Sequence, residues 1–305
     1  MTGKLYIDGI DAFDEYGVFV TNEGCQSLLE YPPAKKMDFN DWPDEDGIEV
    51  DLSSFTLDSR ELSIKFALIG DDLKCGQFFK LLSDKSYHTF YFAKLERAYK
   101  LRLLSEGSLE LAHDLRLFTL RFANDFPLPE GYIYQPPQSN IISATGYEID
   151  GIDFSQYGVR ILKGTDAEIA KSPPIKKNLL QNLNRLNGVV YDDKMVYFQS
   201  KDVKLNCLMT ASSLPEFWRN YNALIHNLSQ SGERVFFVDE IGSGYPCYYK
   251  SCSVSKFSSE GKIWFQFSLT LVFTSFRPGW DDYFLASEDG DFIITELGNY
   301  LINIE

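Results

Sequence analysis

The side chains best suited to chemistry are scattered along the chain. Three histidines, His88, His113 and His226, lie far apart, and none has the spacing that places two imidazoles on one metal ion. His226 falls in a stretch of helical spacing and reads as a surface or boundary residue. Five cysteines, Cys25, Cys75, Cys207, Cys247 and Cys252, form an odd set without regular spacing. Cys247 and Cys252 are the nearest two. With no second pair and no histidine beside them, all five read as reduced, small hydrophobic residues. An acidic run, Asp38, Asp41, Asp44, Glu45, Asp46, Glu49 and Asp51, invites a calcium loop. The glycine such a loop needs at its sixth position would be Gly47, which places Trp42 at the first, where a carboxylate is required. A solvated hairpin with Asp46-Gly47 at its tip fits better, an arm suited to reaching a neighbouring subunit.

Gly242-Ser243-Gly244 reads as a flexible turn, with no lysine after it to hold a phosphate. The sequence contains no Walker loop, dinucleotide fingerprint or nucleophile elbow. With 44 acidic residues, a carboxylate pair at glycosidase separation is always available and singles out nothing. Trp42, Tyr245, Tyr248 and Tyr249 suit sugar stacking if exposed, and a core or a subunit interface if not. No catalytic, cofactor-binding or metal-ligating residue is assigned, and no cofactor is expected.

The elements that would position such residues follow from composition and pattern. A chain of 305 residues is long enough for two domains with their own cores. Apolar content of 44% and charged content of 24% fit a globular protein, and an aromatic share of 15% favours strands. A net charge of -15 opposes a phosphate-coating surface, so no specific nucleic-acid binding is expected. No apolar run approaches the roughly 18 residues of a membrane span, so no membrane insertion is expected. The N-terminal residues run straight into a patterned strand, without the apolar core of a signal peptide, which leads us to expect synthesis in the cytoplasm.

One phrase occurs twice. Tyr6-Ile7-Asp8-Gly9-Ile10-Asp11, then Tyr16-Gly17-Val18, returns as Glu148-Ile149-Asp150-Gly151-Ile152-Asp153, then Tyr157-Gly158-Val159, one residue shorter at the place of Ala12. Asp8-Gly9 and Asp150-Gly151 are turns, and Tyr16-Gly17 and Tyr157-Gly158 begin the next strand. Further features recur 141 residues on, as 157 − 16 does: Pro32-Pro33 as Pro173-Pro174, Lys35-Lys36 as Lys176-Lys177, Asp46-Gly47 as Asn187-Gly188, and the amphipathic strand at Arg60 as that at Lys201. A helix at Leu73 to Leu82, with Leu73, Phe78, Leu81 and Leu82 near one face, returns as Leu214 to Leu228, with a stripe of Phe217, Tyr221, Leu224, Ile225 and Leu228. The closing strand Leu117–Phe122 matches Ser268–Phe273 at an offset of 151, which implies about ten inserted residues. Shared offsets of this kind mark an internal duplication. The acidic first hairpin has a basic, amide-rich counterpart around Lys176, Lys177 and Arg185, so the two arms are complementary in charge.

The order of these motifs resembles the N-terminal domain of siphophage distal tail proteins, and more broadly the phage tail-tube fold. The motifs are a phrase with Asp-Gly and Tyr-Gly-Val, a long hairpin with an Asp-Gly or Asn-Gly tip, an amphipathic strand, one helix and closing strands. The resemblance implies a mainly β (α+β) protein of two tandem tail-tube-like β-sandwich or split-barrel domains, each with one flanking helix. The expected limits are 1–127 and 146–278, with a linker at 128–145 and a small β-meander at 279–305. Having two such units resembles tail hub proteins, which implies self-association into a ring, a trimer with pseudo-six-fold symmetry or a hexamer, in contact with other tail proteins. The implied function is a structural, non-enzymatic part of a phage or prophage tail tip, located in the virion tail and made in the bacterial host cytoplasm. A two-domain carbohydrate-binding β-sandwich and a glycoside hydrolase are the alternatives.

Overall fold

A computed structural model of the chain describes residues 2–277, apart from 22–25, 71, 113–114, 127, 129–130, 178–179 and 191–195. Cys25, His113 and the expected meander at 279–305 lie outside the described residues.

The protein is mainly β, with a few helices. In the first half the order is β1 (Leu5–Ile7), β2 (Ile10–Asp11), α1 (Ala12–Tyr16), β3 (Val18–Val20), β4 (Phe39–Asn40), β5 (Glu49–Val50), β6 (Arg60–Ile69), α2 (Asp72–Ser83), β7 (His88–Phe92), β8 (Arg97–Ala112) and β9 (Leu115–Asn124). In the second it is β10 (Tyr147–Ile149), β11 (Ile152–Asp153), β12 (Val159–Ile161), α3 (Thr165–Ala170), β13 (Lys201–Ala211), α4 (Leu214–Leu228), β14 (Arg234–Val238), β15 (Ser243–Ser258) and β16 (Ile263–Phe273). Each half holds one seven-stranded antiparallel sheet, ordered β2-β1-β7-β8-β9-β6-β3 in the first and β11-β10-β14-β15-β16-β13-β12 in the second, the same order position for position.

The recurring phrase has a physical reason at each residue. Asp8 and Asp150 take left-handed backbone, at φ 52° and 50°, and each is followed by a glycine with positive φ, the geometry of a two-residue hairpin turn. Each aspartate also joins the next strand. Asp8 accepts from Thr89 N–H (2.9 Å) and meets His88 Nδ1 (2.7 Å); Asp150 accepts from Val235 N–H (2.8 Å) and pairs with Arg234 (3.0 Å). Asp11 then caps α1, accepting from Phe13 and Asp14 N–H, and Asp153 caps a 3-10 helix, Phe154–Tyr157. Tyr16-Gly17 and Tyr157-Gly158 therefore end helices and do not begin strands, which corrects the sequence expectation. Gly17 and Gly158 are the left-handed C-caps, at φ 71° and 73°, and a Cβ on Gly17 would lie 2.1 Å from the Ile69 carbonyl. The missing counterpart of Ala12 is the difference between a five-residue α-turn and a four-residue 3-10 turn.

Strand register corrects the later offset. Phe66 pairs with Phe118 in the first half and Cys207 with Phe267 in the second, so the closing strands correspond at 267 − 118 = 149, not 151. Both long hairpins carry a bulge at the matching place, after Leu103 and after Tyr249.

The core is aromatic. Phe78 of α2 packs on Phe66 and Phe118, and Phe217 and Tyr221 of α4 pack on Phe265. The α4 stripe is buried as expected, whereas Leu73 is 68% exposed and leaves the expected face of α2.

A buried cation opens β6 and β13, the matching long strands next to one edge of each sheet. Arg60 donates to the carbonyls of Ser27 (2.5 Å) and Leu28 (2.9 Å). Lys201 donates to those of Glu168, Ile169 and Lys171. Ser27 and Leu28 correspond to Glu168 and Ile169 at the same offset of 141, so the two cations hold the same carbonyls. Burial pulls the Lys201 ammonium down to about 8. A base whose pKa is lowered by folding binds more protons when unfolded, so its contribution to stability rises with pH between about 8 and the unfolded value of 10.5. Lys201→Met is expected to cost about 2 kcal/mol, in line with the loss of hydrogen bonds to a charged group, and Lys201→Arg to recover most of it. In urea melts, wild type is expected to gain on Lys201→Arg as pH rises through this window. A flat difference would rule out the buried-amine account.

Candidate functional site

The acidic hairpin of the first half does not stand free. Its two short strands pair Phe39 with Val50 and Asn40 with Glu49, and its tip lies against the second half of the same chain. Asp46 sits at the centre, accepting from Phe198 N–H (2.7 Å) and pairing with Arg277 (3.2 Å). Gly47 N–H donates to the Phe198 carbonyl and Ile48 N–H to the Thr274 carbonyl, both at 2.8 Å. Lys176, almost wholly buried, pairs with Asp41 (2.6 Å) and donates to the Trp42 carbonyl (2.7 Å). The two arms of complementary charge thus meet within one chain, through Asp41 and Lys176.

The root of this arm is seated on β15. Ala34 N–H donates to the Lys250 carbonyl (2.9 Å) at the bulge, Tyr249 Oη to the Pro32 carbonyl (3.0 Å), and Tyr221 Oη to the Leu29 carbonyl (2.8 Å). Tyr31 meets Tyr221 edge to face, ring centres 4.9 Å apart. Beside it, the Arg97 guanidinium lies 4.0 Å over the Trp218 ring and the Trp218 indole donates to the Leu95 carbonyl (2.7 Å). Burial pushes the Tyr221 and Tyr249 phenols well above their ordinary value. The segment after β9 also binds the second half. Arg219 and Asn220 bond Gln138, and Tyr134 stacks on His226, whose pKa burial lowers.

The sequence-selected residues are dispersed by this arrangement. Cys207, Cys247 and Cys252 are buried in the second sheet, and Cys75 is half-buried. Among the described residues no three metal-ligating side chains cluster, and no helix is long and apolar enough to cross a membrane. Of the four aromatics suited to sugar stacking, only Trp42 is exposed. Tyr249 is buried under the arm root, and Tyr245 stacks on Phe273. His88, which carried no assignment, is buried against Asp8 and Asp84. Nothing in the sequence pointed to Arg97 or Trp218 as contact residues, whereas Lys176 was marked by the basic character of the second arm. Neither that charge nor the Lys35-Lys36 and Lys176-Lys177 recurrence separates the buried Lys176 from its exposed neighbour. What the geometry can do is hold a projecting arm in a seat on a sheet of the same design.

No family model and no curated sequence matches the chain. Among solved structures it is similar to the SPP1 Dit (gp 19.1) protein, described as a paradigm of the hub adsorption apparatus in phages that infect Gram-positive bacteria. Identity is 11%, over 88% of this chain and 97% of that chain, with a TM-score of 0.32. Overlap that loose decides nothing about function.

Gly47 reports directly on the seat. It has φ +72°, and a Cβ there would come 1.8 Å from the Thr274 carbonyl oxygen. Strain of about 2 kcal/mol from a left-handed alanine and its clash is expected to release the arm and raise proteolytic cleavage within residues 38–51 more than tenfold in Gly47→Ala, with the circular dichroism unchanged. Gly188→Ala, where a Cβ meets nothing within 4 Å, is the control. Equal cleavage of Gly47→Ala and wild type would show that the tip contacts do not hold the arm.

Proposed function

We propose that this protein is a structural, non-enzymatic component of a phage or prophage tail, near the distal end of the tail tube, where a ring joins the tube to the host-contacting tip. The observation that carries the proposal is the arm of one seven-stranded sheet clasping a second sheet of the same strand order. In this reading the contact is one between neighbouring positions of a ring, written into one polypeptide. The order of motifs that resembles distal tail proteins supports the same reading, as do the single long helix α2 or α4 beside each sheet and the hairpin arm in each half.

In this reading the halves are a tandem duplicate of one tail-tube-like domain, spanning 1–127 and 146–278, joined by 128–145. Their work is assembly. Arms cover surfaces that would otherwise remain open to non-specific pairing. Three chains with two such domains each supply six positions around a six-fold tube. The acidic net charge suits a wall past which DNA slides without sticking.

The test is location. Particles induced from the source strain and purified by density gradient are expected to contain this chain, and gold-labelled antibody against it is expected to mark the end of the tail opposite the capsid. Absence from the particles, or labelling along the whole tail, would refute the placement.

A further inference from the structure

The contact between the halves is heterologous: an arm of the first engages a seat on the second. It therefore leaves one arm and one seat over, the arm of the second half and the seat of the first. We infer that these two engage each other between copies of this chain, the second-half arm docking on the first half of the next copy by the contacts the first arm makes internally. This rests on the reading of the chain as a ring component and names the surfaces that close it.

The two arms correspond at several described positions. The bridge Ala34↔Leu57 at the base of the first recurs as Ile175↔Phe198, and the pair Asn40↔Glu49 recurs as Gln181↔Val190, both at an offset of 141. Lys35 N–H donates to the Thr56 carbonyl and Lys176 N–H to the Tyr197 carbonyl, again 141 apart. Gly188 takes φ +82° as Gly47 takes +72°. At these positions the second arm has the backbone pairing of the first.

Arm and seat have changed chemistry together. The first arm touches its seat through Asp41, Asp46 and Ile48; the residues at the matching positions of the second are Asn182, Asn187 and Val189. Val189 is 53% exposed in the single chain, whereas its counterpart Ile48 is half-buried in the docked arm. The seat follows the same change. Continuing the sheet register, Ser275 and Arg277 of the second half correspond to Phe126 and Leu128 of the first, and the bulge residue Lys250 corresponds to Leu104. Phe126, Leu128 and Leu104 are 43%, 40% and 37% exposed, and a cavity lined in part by Lys100, Asn124, Phe126 and Leu128 opens there. Where the internal contact sets Asp46 against Arg277, the contact between copies sets the neutral Asn187 against Leu128. Ordered exposed aliphatic groups on two matching surfaces mark a contact surface and not a solvated loop.

The internal contact also supplies the test. Ala34 N–H bonds the Lys250 carbonyl, so the corresponding residues Ile175 and Leu104 are to lie across an antiparallel pairing between copies, close enough for a disulfide. Under mild oxidation Ala34→Cys/Lys250→Cys is expected to cross-link within one chain and remain a monomer on denaturing gels. Ile175→Cys/Leu104→Cys is expected to lose its monomer band to a ladder of multimers. Each single variant and wild type, which carries the native Cys75, should stay monomeric, and mixing the two single variants should give a dimer. A monomer band that persists in Ile175→Cys/Leu104→Cys, while the internal pair forms, overturns the inference whether or not the protein assembles by another surface. That result would leave the tail placement standing, since placement is judged by particle composition. Loss of the placement with the ladder intact would leave the contact between copies standing.

Discussion

A buried cation fixes where each arm leaves its sheet. At the start of β6 and of β13 the chain must pass from an irregular segment into a long strand with one buried face. The carbonyls that end the preceding short helical turn converge on this point, and burying them without donors would cost more than most single interactions contribute. A cation with several N–H groups satisfies two or three carbonyls at once, and no neutral side chain offers as many donors. Arg60 and Lys201 fill that place in the two halves. They are not equivalent, however. The guanidinium keeps its charge at any working pH, whereas the ammonium is held near 8. The root of the second arm is therefore the one that responds to pH.

From that anchor the rest of the packing follows. With its exit point set, the first arm lays Glu30 to Ala34 along β15 and carries Asp46 to Phe198 and Arg277. The contacts along this path are mostly backbone and charge-assisted hydrogen bonds, with aromatic packing at the root, where Tyr31, Tyr221 and Tyr249 are buried. The apolar cluster consequently runs through both halves, and a cut between them would expose the tyrosines and leave Lys176 without Asp41.

Much of the fold was legible because local chemistry and global structure agree. Period-two alternation located the long strands, the α4 stripe located its buried face, and Asp-Gly located the turns. Other features left weaker marks. Five residues of α1 are too few to display a helical period, so Tyr16-Gly17 resembled a strand start. The closing strands were matched two residues out of register, and the alternation raised no objection, because a shift of two keeps every side chain on its own face. Only the pairing with β6 and β13 distinguishes the two alignments. The burial of Tyr249 and Lys176 depends on the other half of the chain, and such a contact has no periodicity to read. The acidic run suggested solvation; in the folded protein two of its aspartates are spent on Lys176 and Arg277.

The different chemistries of the two arms follow from how each meets its seat. The first arm is covalently linked to the surface it binds. Its local concentration there is set by the intervening chain, so modest polar contacts keep it docked, and charge pairs fix its register and exclude misplacement. The second arm, binding between copies, has no such tether. It must offset the lost freedom of association from the contact itself, and burial of exposed aliphatic and aromatic surface supplies that more reliably than ion pairs do. Aspartates at 41 and 46 against asparagines at 182 and 187 are then the same arm adapted to an internal and an external partner. The polarity also guards order: an acidic arm on an apolar seat would bury unpaired charge, so each arm is directed away from the other's seat.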